Sequence, residues 1–314
     1  MVQLVFLSDL CANFNEMKKQ LSIIIVLATA FASCLRLDSQ FFNVQELTEY
    51  GLDNYTGERE LKDMPSTYNV ADSMVHLFSL KSDDDGDVQT IYAIYLGDTA
   101  RIATDTIIVY CHGNKFHMDL YWNRAKLLAH TGGLHRYGVL MMDYRGYGMS
   151  TGTTTESGLR ADVNTCMQWL KDHGLSEERT ILYGYSLGSA PATSLTADPI
   201  ALKPAKLILE APFASAETMV QDAAVAALPV SYFTNVEVNN AETIKNVQQP
   251  FCWLHGINDD FLKIDTHGEV VYFNYGGSYK EAHRIPDAVH NDVPKLMGYE
   301  NYLSTLHNFI QREN

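Results

Sequence analysis

The chain reads as an α/β protein with a mostly parallel central sheet and helices on both faces, and three observations predict it. From about residue 106 onward, short apolar runs alternate with longer stretches of helical period, the pattern of successive strand–helix–strand units. Each apolar run ends in a cluster of Gly and polar residues, as strands do where they feed into loops. Finally, 314 residues with 46% hydrophobic side chains can bury a core large enough for one such domain.

In order, Met74–Leu80 and Gln89–Leu96 are strand-like and flank the acidic stretch Ser82–Asp87, which suggests a hairpin. That stretch lacks calcium-loop spacing, because Gly86 falls too early and no Glu closes the loop, so a solvated turn is expected. A strand over Thr106–Cys111 ends in His112-Gly113-Asn114 and precedes a helix from about Asp119 to His130. The next strand, Gly138–Met142, ends in the polar and glycine-rich stretch Asp143–Gly148. A helix from about Thr155 to His173 stops at Gly174, a plausible C-cap. The apolar run Ile181–Tyr183 then leads into Gly184-Tyr185-Ser186-Leu187-Gly188, and strands over Lys206–Leu209, Pro250–Leu254 and Glu281–Ile285 follow. An amphipathic helix closes the chain, and there is no internal repeat. Residues 66–314 are expected to form one domain, with a short cap insertion over 214–249.

The amino-terminal part has a different character. From Met17 it reads Met-Lys-Lys-Gln, then an 11-residue apolar run from Leu21 to Phe31, then Ala32-Ser33-Cys34. That is a basic segment, an apolar segment too short to span a bilayer comfortably, and small residues at a cleavage point. Phe31-Ala32-Ser33-Cys34 resembles the lipobox of bacterial lipoproteins, which implies lipidation of Cys34, export, and a membrane-anchored protein facing the periplasm or the cell surface. Residues 17–33 are then the signal, 34–65 a polar tether, and 1–16 an upstream start; a buried N-terminal helix or an uncleaved anchor is the competing reading. Cys111, Cys166 and Cys252 read as small core residues rather than a disulfide framework. With 23 Lys and Arg against 38 Asp and Glu, a net charge of −15 argues against nucleic acid and anionic lipid surfaces as partners.

The chemistry centres on Ser186. Strand, sharp turn and helix start form the context in which G-x-S-x-G lifts a serine oxygen clear of the backbone, although the pentapeptide alone arises by chance in roughly one such chain in ten. A serine hydroxyl needs a base to attack a carbonyl at neutral pH, and the base needs an orienting carboxylate. Functional groups of a parallel sheet gather beyond the carboxyl ends of its strands. Of the 11 histidines, His290 alone follows the last strand in a loop, since His267 and His307 fall on predicted helices and His283 within a strand. Asp259 follows the preceding strand and is the preferred acid; Asp260, Glu210 and Asp143 remain rivals, with Asp143 also a natural partner for Arg145. Backbone amides of Leu187 and Asn114 are placed to hold an oxyanion, and His112 is expected to brace its loop. This chemistry calls for no cofactor and no metal.

The motifs His112-Gly113-Asn114, Asp143–Gly148, Gly184–Gly188, Glu210–Phe213, His255–Asp259 and His290–Asp292 together resemble the α/β-hydrolase superfamily. They are most similar to its single-domain branch of lysophospholipid and monoacylglycerol lipases and protein depalmitoylases. The resemblance covers about residues 70–310. It implies a Ser186, Asp259, His290 triad, oxyanion donors at Asn114 and Leu187, and hydrolysis of carboxylic esters or thioesters with an acyl or lipid-type substrate. In the acid loop, Asn258, Phe261 and Leu262 depart from the usual residues, which keeps Asp260 open. The competing readings are a prolyl-oligopeptidase-like peptidase and a non-catalytic, membrane-anchored binding lipoprotein. The small apolar segment Ala223–Val230 with Tyr232 and Phe233 reads either as an acyl-binding wall or as an ordinary buried helix.

Overall fold

A computed structural model describes residues 42–133, 136–223 and 236–313. Cys34, the signal and start segments before it, and most of Ala223–Val230 with Tyr232 and Phe233 lie outside the described residues.

In chain order the main elements are β1 (Asn43–Val44), β2 (Val75–Asp84), β3 (Asp87–Leu96), β4 (Thr106–Cys111), β5 (Lys115–Phe116), α1 (Trp122–Leu128), β6 (Tyr137–Met142), α2 (Glu156–Asp172) and β7 (Thr180–Tyr185). They continue as α3 (Ser189–Ala197), β8 (Lys206–Glu210), α4 (Ala216–Ala223), α5 (Asn240–Thr243), β9 (Phe251–Gly256), α6 (Gly268–Asn274), β10 (Lys280–Ile285), α7 (Val293–Met297) and α8 (Tyr299–Gln311). Eight strands form one sheet in the order β10-β9-β8-β7-β4-β6-β3-β2. Pairing is parallel from β10 through β6 and antiparallel for β3 with β6 and for β2 with β3. The central strands are buried on both faces, which is why they read as unbroken apolar runs.

Alternate residues of these strands enter two cores. Val109, Leu182, Leu207 and Trp253 pack on one face with residues of α2 and α3, while Ile108, Tyr183, Ile208 and Leu254 pack on the other with α1 and α8. Helix α2 buries Leu159, Val163, Cys166, Met167 and Leu170, the spacing of one helical face. Its first turn is capped by Thr155, whose Oγ1 accepts from the Gly158 amide at 3.0 Å. Gly174 closes the other end at φ +90, a conformation that favours glycine. Cys111, Cys166 and Cys252 are free and buried.

Three local expectations are corrected. The acidic stretch is mostly strand: only Asp85 and Gly86 turn, both at positive φ (52° and 91°), as two-residue hairpins require. Helix α1 is shorter than expected because Asp119 does not start it; its carboxylate accepts instead from the amides of Gly51 and Leu52, at 2.6 and 3.0 Å. Residues 43–65, expected within a tether, are packed on the domain. There β1 pairs with β5, Leu61 is fully buried, and Glu58 is buried against Arg124. The sequence signal was misleading because that packing is made by scattered polar contacts rather than by a periodic apolar face. Among the described residues, no helix is long and apolar enough to cross a membrane.

Candidate active site

The strand order β10-β9-β8-β7 places the segments following β7, β9 and β10 along one edge of the sheet. Ser186 follows β7 directly, in the left-handed region at φ +51. A non-glycine residue there is strained, and such strain persists only where the surroundings over-determine it. The flanking glycines show what does so. A Cβ on Gly184 would come within 2.7 Å of the Gly188 carbonyl oxygen, and one on Gly188 within 2.0 Å of the Cys111 carbonyl oxygen. Only glycine lets strand, turn and helix approach this closely.

From this elbow Ser186 Oγ lies 2.9 Å from His290 Nε2, and His290 Nδ1 lies 2.8 Å from Asp259 Oδ2. A carboxylate only accepts, so Nδ1 carries the imidazole proton and Nε2 accepts from the serine hydroxyl. That is the tautomer a general base requires. Asp259 is fixed from three further sides: Oδ1 accepts from the amides of Phe261 and Leu262 at 3.0 and 2.8 Å, and Oδ2 faces His255 Nε2 at 3.1 Å. Burial disfavours its charge, but hydrogen bonds and charge from His255 and His290 outweigh this and hold the carboxyl well below the usual carboxylate range. The stability this contributes is present above the ordinary carboxylate pKa and is lost as pH falls through the depressed folded value.

The rival acids are accounted for. Asp260 is exposed, on the rim of the cavity, and Glu210 is buried in an ion pair with Arg124. Asp143 Oδ1 faces His112 Nε2 at 3.1 Å and accepts from the Met118 amide at 2.7 Å, while Oδ2 accepts from Tyr50 Oη at 2.7 Å. It is not the partner of Arg145, which pairs with Asp162 at 2.9 Å and with Asp87 at 3.2 Å. His112 does brace its loop, with Nδ1 2.7 Å from the Gly113 carbonyl oxygen.

Ser186, His290 and Asn114 line a common cavity of about 430 Å³. Asn114 Oδ1 accepts from the Asn43 amide at 2.9 Å and from Tyr147 Oη at 2.7 Å, so this side-chain oxygen is turned to the fold. Leu187 is buried in the first turn after the serine. That turn runs directly into α3, and backbone amides at a helix start are donors of the kind that meets developing negative charge.

Two supports of the Ser186–His290–Asp259 hydrogen-bond chain were not singled out from the sequence. Trp253 Nε1 donates to His255 Nδ1 at 3.3 Å, so a neutral His255 holds its proton on Nε2, between Asp259 Oδ2 and the Leu262 carbonyl oxygen at 2.9 Å. Tyr185 Oη donates to Asn291 Oδ1 at 2.6 Å and packs its ring 5.6 Å from that of His290, steadying the histidine loop. The His-Gly pair at the end of β9 was the available hint for His255, but nothing local shows that its ring turns toward Asp259. Among the described residues, one set of potential metal ligands converges: Cys252, Glu281 and His283, within 4.8 Å of one another. It sits along β9 and β10, and Cys252 is at the opposite end of β9 from Asp259.

The glycine geometry makes a direct test. In Gly188→Ala the Cys111 carbonyl must move, and with it the His112-Gly113-Asn114 loop. The variant is expected to lose about 1–3 kcal/mol of stability in a denaturant titration, the usual cost of overpacking. Turnover of a short-chain ester should fall by about a hundredfold, as for a misplacement near 1 Å. Wild-type turnover would refute this account of the elbow.

A family model described as the alpha/beta hydrolase fold matches residues 106–242. Protein bem46 of Schizosaccharomyces pombe is 32% identical over 168 residues, covering 51% of this chain and 54% of its own length. The alpha/beta hydrolase domain-containing protein aho-3 of Caenorhabditis elegans is 31% identical over 176 residues, covering 56% of this chain and 49% of its own. The chain thus spans about half the length of these curated relatives. Among solved structures, the Pyrococcus furiosus esterase Pf2001 superposes with a TM-score of 0.63 at 18% identity, over 86% of this chain and 97% of the esterase.

Proposed function

From the α/β-hydrolase fold that this chain has, we propose that it is a serine hydrolase cleaving carboxylic esters or thioesters of acyl, lipid-type substrates through an acyl-serine intermediate. The observation that carries the reading is the unbroken hydrogen-bond chain from Ser186 Oγ through His290 to Asp259, beginning at a residue held at φ +51. Ser186 Oγ attacks the substrate carbonyl while His290 Nε2 takes its proton, and Asp259 stabilises the resulting imidazolium. The oxyanion is held by the amides of Leu187 and Asn114. His290 then returns the proton to the departing alcohol or thiol, and water activated by the same ring releases the acid. His255 acts through Asp259 as a positioning residue. The esterase name of the Pyrococcus furiosus protein supports the ester class by analogy of fold.

The anchor belongs to the same reading: lipidation of Cys34 holds the exported enzyme at a membrane. Cys34→Ala is then expected to move the protein into the soluble fraction, and retention on membranes would refute the lipidation. For the chemistry, a fluorophosphonate probe is expected to label the folded protein at Ser186, and an unlabelled Ser186 would overturn the assignment. A screen of esters and thioesters with graded acyl length then identifies the substrate class.

A further inference from the structure

On the face of the sheet that packs with α8, β9 and the edge strand β10 bring a thiol, a carboxylate and an imidazole together, away from Ser186. Strand pairing sets Glu281 beside Cys252 and His283 beside Leu254, so Cys252, Glu281 and His283 share one face, the last two in alternate positions along β10. Their donor atoms lie within 4.8 Å of one another. Cys252 is fully buried and free, whereas the Glu281 and His283 side chains are 26% and 29% exposed, which gives the group an entrance from solvent. A cysteine that only fills a core needs apolar neighbours, and this one has two metal-ligating groups beside it.

The spacing fits a small tetrahedral ion. His283 Nε2 lies 3.4 Å from Glu281 Oε2, long for a charge-assisted hydrogen bond. Two ligands held on zinc by bonds of about 2.0–2.1 Å at the tetrahedral angle stand about 3.4 Å apart. A zinc–sulfur bond of about 2.3 Å sets the thiolate about 3.5 Å from each of them, so Cys252 Sγ has to close by at most roughly 1.3 Å. Glu281 is already oriented, because Tyr279 Oη donates to its Oε1 and leaves Oε2 toward His283. Among the described residues, Glu281 forms no ion pair with Lys or Arg. Lys206 Nζ donates to the Phe309 carbonyl oxygen at 2.8 Å and to that of Arg312, while the Arg312 guanidinium lies 3.8 Å over the Tyr279 ring.

We propose that Cys252, Glu281 and His283 bind one zinc ion, with water in the fourth position, and that the ion ties the edge strand β10 to β9. Binding takes the thiolate, so the Cys252 proton leaves to solvent as the sulfur–zinc bond forms. One thiolate, one carboxylate and a neutral imidazole then balance the two positive charges of the ion. Sulfur, nitrogen and oxygen donors together suit zinc, whereas magnesium and calcium take oxygen. Strand β10 pairs only with β9, which makes it the strand that such a tie secures most. The loops carrying Asp259 and His290 leave the far ends of these two strands, so the ion steadies the frame beneath them and takes no part in the chemistry.

Cobalt(II) serves as the probe, because it takes the place of zinc in tetrahedral sites and its bond to a thiolate adds a charge-transfer band in the near ultraviolet. Titration of the reduced full-length protein is expected to raise that band to saturation at one equivalent, and zinc, the tighter binder, to bleach it. Cys252→Ser should remove the band. His283→Ala, at a partly exposed side chain, should weaken cobalt binding by about a hundredfold, and Tyr279→Phe by about tenfold. Zinc should raise the Tm of the wild type and leave that of His283→Ala unchanged. His290→Ala should keep the wild-type cobalt spectrum. Absence of a thiolate band in the folded protein, a band that survives Cys252→Ser, undiminished affinity in His283→Ala, or loss of the band in His290→Ala overturns the site. A bound ion that leaves the wild-type Tm unchanged overturns the tie between the strands. Fluorophosphonate labelling reports the hydrolase reading independently of all of these.

Discussion

Ser186→Ala is expected to abolish turnover of a chromogenic short-chain ester, by about 10⁶-fold if this site follows the scale of known serine triads. The size follows from the geometry. Ser186 Oγ is the atom that His290 Nε2 contacts at 2.9 Å, and no other hydroxyl is offered to that nitrogen among the described residues. The variant keeps the Leu187 and Asn114 amides, so some rate enhancement over water survives, but it proceeds without an acyl-enzyme. The fold should be unaffected, because the side chain is small and its removal relieves nothing at the φ +51 backbone. Retention of more than a few per cent of wild-type turnover, a loss of about thirtyfold or less, would sink the nucleophile assignment.

Arg124→Ala is expected to produce the largest loss of stability. Arg124 is fully buried and bridges two carboxylates: its Nη2 lies 2.8 Å from Glu58 Oε1, and its Nη1 contacts Glu210. Burial would disfavour its charge, but Glu210 and Glu58 hold the guanidinium well above its ordinary value. Removing it leaves two buried carboxylates facing each other without a counter-charge, which typically costs about 3–5 kcal/mol. For a domain of this size that corresponds to roughly a 10 °C lower Tm. Activity should fall as well. The same guanidinium donates to the Asn291 carbonyl oxygen at 3.0 Å and lies 4.2 Å over the Tyr185 ring, both next to His290. Thermal unfolding of Arg124→Ala beside the triple variant Glu58→Gln, Glu210→Gln, Arg124→Met separates the causes. The triple variant should recover part of the loss, because it removes the charges together. A single variant within about 1 kcal/mol of wild type would show that the cluster does not behave as a buried ion network.

These two expectations differ in how far they could be read before folding. Ser186 stands in a local pattern, in which strand, glycine, serine and glycine are adjacent in the chain and their steric reason operates within five residues. His290 and Asp259 were also legible, because loops that follow successive parallel strands gather at one edge whatever their sequence. Arg124 gave no such sign. Its partners Glu58 and Glu210 lie 66 and 86 residues away, and Glu58 falls in a polar stretch that resembled a tether.

What the sequence determined by itself was therefore the alternation of elements, the strained elbow and the set of groups able to act at one edge of the sheet. The tertiary structure decided which carboxylate faces His290, turned His255 and Trp253 into a support for Asp259, and folded residues 43–65 back onto the domain beside the cavity. The physical reason is range. Backbone conformation and hydrophobic period are fixed by neighbours in the chain, whereas the direction of a buried polar side chain is set by whichever distant partner satisfies its hydrogen bonds.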